Sequence, residues 1–157
     1  MQQVIGASYL FGTDQSSAAR EVLSKLTTYP DERIGHIART QLWRWQLTDA
    51  GAEDVAAWQR QVSRLPAELR GGANFVIGSA QQRLAAHEDA ALAFLWPALV
   101  YRADPRLTRR AALLAAESLV KARQPSDARK ILQELVTRHP RCPEAATAQS
   151  RLNELNE

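Results

Sequence analysis

His139 and Cys142 carry the side chains with the most potential for metal chemistry, because imidazole and thiolate groups are common ligands of zinc. They lie three positions apart, but a tetrahedral site needs two more ligands and Cys142 is the single cysteine of the chain. Pro140 and Pro143 lie beside them, and prolines at such positions are typical of a junction between two helices. We therefore predict a helix junction here rather than a metal site.

The remaining polar motifs predict neither catalysis nor nucleotide binding. Ser79 lacks the flanking glycines of a nucleophile elbow, and Gly71–Gly72 follows no strand pattern of the kind that precedes a phosphate-binding loop. The acidic pairs Glu53–Asp54 and Glu88–Asp89 stand at predicted helix starts, where the positive end of the helix dipole favours carboxylates. The sequence therefore predicts a protein that is not an enzyme and needs no cofactor.

Two tryptophans of one predicted helix are candidates for contact with a partner. Trp43 and Trp45 are two positions apart, so they project to different faces of a helix and one of them is expected to be exposed. Arg39 and Arg44 flank them, and tryptophan beside arginine is a typical composition of a binding hot spot. We predict Arg39, Trp43 and Arg44 as partner-binding residues. The alternative is that a neighbouring helix covers the tryptophan.

Composition favours helices along the whole chain. The 157 residues include 27 Ala and 19 Leu against 13 Val and Ile together, and β-branched side chains lose rotamer freedom in a helix. The predicted fold class is all-α.

The net charge of +3 is small and comes mainly from arginine, with 17 Arg against 3 Lys. Four arginines lie close together in the sequence, at Arg102, Arg106, Arg109 and Arg110, and could contact phosphates. Binding of nucleic acid is therefore an alternative to binding of protein. The sequence shows no signal-peptide pattern and no apolar run that approaches a membrane span. We expect a soluble protein of unknown compartment, with the cytoplasm favoured if the chain is complete.

Prolines recur at a nearly constant interval. Pro30, Pro66, Pro105 and Pro140 are separated by 36, 39 and 35 residues, and each lies between apolar runs with helical spacing. A period of this length is typical of repeated helix pairs. The pattern predicts nine helices, at about 2–12, 14–28, 31–48, 53–65, 68–86 and 88–100 and then from Pro105, Pro125 and Pro143. Pro97 is expected to kink the sixth.

Residues 109–140 resemble a tetratricopeptide repeat. Small and apolar residues carry the resemblance, with a proline at the end: Ala115, Ala116, Leu119, Ala128, Leu132 and Pro140. Gly78 and Ser79 form the corresponding small pair of an earlier unit, and small side chains let two helices approach closely. The resemblance implies a right-handed superhelix of antiparallel helix hairpins. About four hairpins plus a C-terminal capping helix would form a single domain, residues 1–157.

The resemblance also implies a function, because members of this family bind polypeptides on the concave face of the superhelix. That face would be lined by first helices of the pairs, where the matching partner-binding residues are Arg83, Arg110, Leu113, Glu117 and Lys121, together with Ala73, Val76, Ala80, Leu84 and Val120. We therefore expect a scaffold for another protein or peptide. Two further alternatives are a regulatory or dimerisation domain of a larger protein, and a homodimer formed through Val4, Ile5 and Phe11 of the first helix.

Overall fold

The computed structural model describes residues 2–101 and 104–155, and all regular structure in these two ranges is helical, without a β-strand. The predicted all-α class is confirmed. The helices are α1 (Gln2–Tyr9), α2 (Ser16–Leu26), α3 (Glu32–Gln46), α4 (Ala52–Val62), α5 (Arg70–Arg83), α6 (His87–Leu95), α7 (Pro105–Lys121), α8 (Pro125–Arg138) and α9 (Pro143–Glu154). A 3-10 turn (Ala67–Leu69) precedes α5, and a π turn (Trp96–Val100) follows α6.

The helix starts follow the local signals of the sequence. Pro105, Pro125 and Pro143 are the first residues of their helices, where the N–H that proline lacks would have no partner within the helix. Asp104 caps α7, and its Oδ1 accepts hydrogen bonds from the backbone N–H of Arg106 at 2.9 Å and of Leu107 at 3.2 Å. These starts fix the register of the side chains along each helix.

Pro97 ends regular α-helix, as its missing N–H predicts. The π turn begins at Trp96, and the backbone N–H of Tyr101 donates to the carbonyl of Trp96 at 3.0 Å, five residues back. At Pro97, where the sequence predicts a kink, the structure has a π turn, which is wider than a turn of α-helix. Leu92, which lies before this turn, and Val100 within it are both more than half exposed.

The chain forms two compact units, Met1–Ala50 and Gly51–Glu157. In the first unit α2 packs against α1 and α3, around a core of Leu23, Val4, Ile34 and Ala38. Ala19, Leu23 and Leu26 of α2 are buried, whereas Val22, an apolar residue three positions after Ala19 and four before Leu26, is 37% exposed. The buried face of α2 is thus narrower than the spacing of its apolar residues indicates.

The second unit contains α4–α9, and each helix from α4 to α9 packs against the next along the chain. The helices α5 and α7 also contact each other, and so do α7 and α9. A Cβ atom on Gly78 would lie 2.9 Å from the ring of Phe94, so this glycine lets α5 and α6 approach closely, as the small-residue pattern predicts.

Because α6 packs against both α5 and α7, and α8 against both α7 and α9, these contacts do not divide the second unit into the predicted hairpins. The predicted hairpin of α3 with α4 has its two helices in different units. The single domain over 1–157 and the right-handed superhelix thus stay predictions. Among the described residues, every helix is too short or too polar to cross a membrane.

Candidate functional site

The structure places Trp43 inside the protein, so the prediction of an exposed tryptophan anchor at this position is wrong. Trp43 is 5% exposed, and Trp45 is half-buried. Trp45 donates a hydrogen bond from Nε1 to the hydroxyl of Ser16 on α2, at 2.9 Å. Periodicity separates the faces of a helix, but it does not say how many of those faces the rest of the chain covers.

Arg39 and Arg44 have partners within the first unit. Arg39 Nη2 donates to the carbonyl of Thr27 at 2.9 Å, which ties α3 to the end of α2. Arg44 Nη1 donates to the carbonyl of Ser8 at 3.2 Å, and its guanidinium lies 4.3 Å from the ring centroid of Phe11. Both arginines therefore stabilise the packing of the first three helices, which argues against the predicted cluster as a binding surface.

The N-terminal helix presents only part of the surface predicted for a homodimer. Val4 is 1% exposed and belongs to the core of the first unit, so its predicted place in a dimer interface is wrong. Ile5 and Phe11 are exposed, and Phe11 meets the ring of Trp45 edge-on at 4.8 Å between centroids. A dimer through this helix stays a prediction that would rest on Ile5 and Phe11.

One face of α7 brings the predicted groove residues together. The residues of this face recur at intervals of three and four along the helix and are Arg106, Arg110, Leu113, Glu117, Val120 and Lys121. Leu113 and Glu117 are half-buried, whereas Arg110 and Lys121 are exposed. Val120 is 40% exposed. We call this set the α7 face.

A cavity of about 450 Å³ lies at the N-terminal end of the α7 face. Phe75 of α5 lines it together with Arg106 and Arg110, and the guanidinium of Arg110 lies 5.5 Å from the ring centroid of Phe75. Arg109 and Glu144 also line it and form an ion pair at 3.3 Å. This end of the α7 face offers the guanidinium of Arg110 over an aromatic ring, with Arg106 lining the same cavity.

A second cavity of about 260 Å³ lies at the C-terminal end of the same face. Apolar side chains from three helices line it, and charged ones surround them: Ala116, Glu117, Val120, Lys121, Leu132, Arg151, Glu154 and Leu155. Arg151 lies 2.8 Å from Glu154 and 3.9 Å from Glu117. The pairing of Arg151 with these carboxylates raises its guanidinium pKa further and keeps the group charged. Lys121 forms no ion pair with another described residue.

At the second cavity the wall opposite α7 comes from α9, and Phe75, which lines the first cavity, is not among the residues of α5 that were predicted. Ala73, Val76 and Ala80 of α5 are each less than 8% exposed, so they belong to the core and cannot line an open face. Arg83 is exposed at the end of α5 but lines neither of the two cavities. Leu84 lies just beyond it.

The sequence did not predict that Arg151 and Glu154 line a groove. A final helix with one apolar stripe is typical of a capping helix whose other faces are exposed to solvent. The spacing of the charged residues on α9 did indicate an ion pair. Arg151 and Glu154 lie three positions apart on α9, a spacing at which opposite charges pair across one helical turn. Only the packing of α9 beside α7 brings that pair to Glu117.

The arginine group predicted as a phosphate site is partly neutralised. Arg109 is paired with Glu144, and Asp104 lies in the same cavity. The backbone N–H of Glu144 lowers the pKa of that carboxyl below its ordinary value, and the Cys142 thiol and the Arg109 guanidinium lower it further against the opposing effect of burial. Glu144 thus stays ionised beside the arginines. Arg102, the fourth member of the predicted group, lies outside the described residues.

No group of three His, Cys, Asp or Glu side chains in 2–101 and 104–155 is placed to hold a metal ion. His139 ends α8 and Cys142 precedes α9, which is the helix junction that the prolines predict. Comparison with protein-family models, with curated protein sequences and with solved structures found no match for this chain. The resemblance to the tetratricopeptide family therefore stays a prediction.

Proposed function

We propose that this chain is a non-catalytic scaffold that binds an extended segment of another polypeptide along the α7 face, between α7 and α9. The observation that carries the proposal is the pair of cavities at the two ends of one helix face. Such a face suits a linear ligand better than a compact one, because its two recesses are separated along the helix axis. Most of its members were predicted from the resemblance.

The length of the α7 face sets the size of the ligand. Arg106 and Lys121 are separated along the helix axis by about 22 Å at 1.5 Å per residue. An extended polypeptide covers that distance with about seven residues. One end of the segment would lie at Arg106 and Arg110, and the other over the apolar floor formed by Leu132 and Leu155.

The charges of the α7 face suggest the composition of that segment. Arg110 is exposed and its guanidinium lies over the ring of Phe75. Its N–H groups can therefore bind a carboxylate of the ligand. At the other end an apolar side chain of the ligand fits over Leu132, beside Lys121, which forms no ion pair with another described residue. We therefore propose a ligand with an acidic residue towards one end and an apolar residue towards the other.

The test is selection of displayed random octapeptides on the wild-type protein, followed by fluorescence anisotropy with the enriched peptides. Val120→Glu places a charge in the wall of the second cavity, and we expect it to weaken binding at least tenfold. Leu84→Glu is the matched control, since Leu84 is 37% exposed against 40% for Val120 but lies outside both cavities. We expect it to change affinity less than twofold.

Two outcomes would overturn the proposal. The first is that no peptide is enriched, or that enriched peptides bind Val120→Glu and Leu84→Glu equally well. The second is that a labelled single-stranded DNA binds more tightly than any selected peptide and loses affinity steeply as salt rises, which is typical of phosphate contacts. The second outcome would support the nucleic-acid alternative.

A further inference from the structure

An ion pair crosses the groove in which we place the peptide. Glu117 belongs to α7 and Arg151 to α9, and these two helices form opposite walls of the second cavity. The carboxylate of Glu117 and the guanidinium of Arg151 lie 3.9 Å apart. A contact that joins the two walls of a groove lies across the path of a ligand that runs along it.

The position of this pair places it between the two ends of the proposed peptide. Glu117 lies seven positions after Arg110 and four before Lys121, which corresponds to about 10 Å and about 6 Å along the helix axis. The side chain of Glu117 is 29% exposed and that of Arg151 is 49% exposed, so both lie partly within the groove. A segment that binds Arg110 and also reaches the apolar floor at Leu132 has to pass them.

Arg151 is held more firmly by its own helix than by α7. Its Nη1 donates a hydrogen bond to Oε2 of Glu154 at 2.8 Å, whereas the 3.9 Å between Nη2 and the Glu117 carboxylate is longer than a hydrogen bond. Partly exposed ion pairs of this kind contribute little to stability. When the contact with Glu117 opens, Arg151 keeps its partner Glu154. The contact across the groove can therefore open without leaving the guanidinium unpaired.

We propose that Glu117 and Arg151 form a latch, which closes the second cavity to the apolar residue of the peptide and opens when the peptide binds. This inference rests on the proposed function, because it describes how the groove admits its ligand. The apparent dissociation constant equals the intrinsic one divided by the fraction of molecules that are open. A latch that is closed in about two thirds of the molecules would weaken binding about threefold.

A simpler electrostatic effect makes a different prediction. If Glu117 only repelled the acidic residue of the ligand, then removal of either carboxylate of the second cavity would tighten binding and removal of the Arg151 charge would weaken it. A latch instead predicts that loss of either Glu117 or Arg151 tightens binding, because each substitution breaks the same contact. The sign of the Arg151 effect therefore separates the two explanations.

Fluorescence anisotropy with the octapeptides enriched on the wild-type protein tests the latch. We expect Glu117→Gln and Arg151→Gln each to tighten binding about threefold, and the double variant to gain no more than either single one, since the contact can be lost only once. Glu154→Gln is the matched control. It makes the same substitution in the same cavity and also removes a partner of Arg151, but on α9 itself, so it should not tighten binding.

Unchanged or weaker binding by Glu117→Gln would overturn the latch, and so would weaker binding by Arg151→Gln. Either result leaves the groove in place as long as Val120→Glu still weakens binding. A parallel selection on Glu117→Gln covers the case in which the wild-type protein enriches no peptide. Peptides enriched on this variant alone would support the latch, whereas failure of both selections would overturn the latch together with the proposed function.

Discussion

Gly78 sets how closely two helices of the second unit can approach. The ring of Phe94 lies where a Cβ atom on Gly78 would project, and Phe94 is fully buried, so the ring cannot move aside without disturbing the core. Gly72, six positions earlier on the same helix, has no neighbour within 4 Å of its would-be Cβ. The two glycines are thus chemically identical residues with opposite structural roles.

We expect Gly78→Ala to lower the free energy of unfolding by about 1 kcal/mol. Overpacking a core costs about 1–3 kcal/mol, and the better helix propensity of alanine offsets about 1 kcal/mol of that. Gly72→Ala should instead raise stability by about 0.5 kcal/mol, because it gains propensity without a clash. Urea denaturation monitored by circular dichroism measures both. Equal effects of the two substitutions would refute the role of Gly78.

The lowered pKa of the Glu144 carboxyl predicts that the free energy of unfolding depends on pH. Its side chain is 24% exposed and pairs with Arg109 at 3.3 Å, and its pKa is lowered chiefly by its own backbone N–H, with Cys142 and Arg109 adding to the effect. A carboxyl whose folded pKa is depressed stabilises the native state above its unfolded pKa, which is about 4.3 for glutamate. That contribution is lost as the pH falls through the folded pKa.

We therefore expect Glu144→Gln to lower the free energy of unfolding by about 0.5 kcal/mol at pH 7, the magnitude of a partly exposed ion pair. The difference from wild type should shrink towards zero as the pH falls below about 4, where the native carboxyl also becomes neutral. Urea denaturation at a series of pH values measures this difference in the free energy of unfolding. Glu21→Gln, at an exposed position of α2, shows the effect of the substitution alone. A difference that grows on acidification would contradict the assignment.

At the scale of elements, local signals decide where helices begin. Asp104 is a further example, because its carboxylate accepts two backbone N–H groups that the first turn of α7 leaves unpaired. This matters for the proposed groove, since α7 carries Arg106 and Arg110 in its first two turns. The position of that end of the groove depends on the cap.

We expect Asp104→Ala to reduce stability by about 1 kcal/mol, the usual cost of losing an N-cap. It should also weaken any peptide that binds at Arg106 and Arg110, because the first turn of α7 would fray. Asp14→Ala is the control, as Asp14 is exposed and precedes α2 without capping it. Thermal unfolding and anisotropy measure the two effects. An unchanged melting temperature in Asp104→Ala would show that the cap is dispensable.

At the scale of the whole molecule, the two compact units differ in the cores that support them. Among the described residues, the second unit contains clusters of buried apolar residues around Leu132 and around Phe94. The first unit spans only 50 residues, and the cluster around Leu23 belongs to it. Domains of that size bury too little apolar surface to be more than marginally stable.

We expect residues 51–157 expressed alone to unfold cooperatively, and residues 1–50 alone to show at most weak, non-cooperative helicity. The physical reason is the difference in apolar area that each fragment can bury by itself. Circular dichroism at 222 nm during urea titration distinguishes the two behaviours. A fragment 51–157 that lacks a cooperative transition would refute its independence.

The sequence by itself determined the class of fold and most helix boundaries. Signals such as Pro105, Pro125 and Pro143 act through the adjacent backbone, so they need no knowledge of distant residues. The α7 face was predictable for the same reason, because its members share one helix. Which side chains are exposed was only partly predictable.

Only the tertiary structure decided which helix faces are covered. Trp43 and Val76 are buried, whereas Val22 and Trp96 are exposed, although all four are apolar residues of predicted helices. Burial depends on which other helix packs against a face, and that packing joins residues far apart in the chain, such as Glu117 and Arg151. Such contacts arise from the balance of apolar area and shape over the whole molecule, which no local pattern contains.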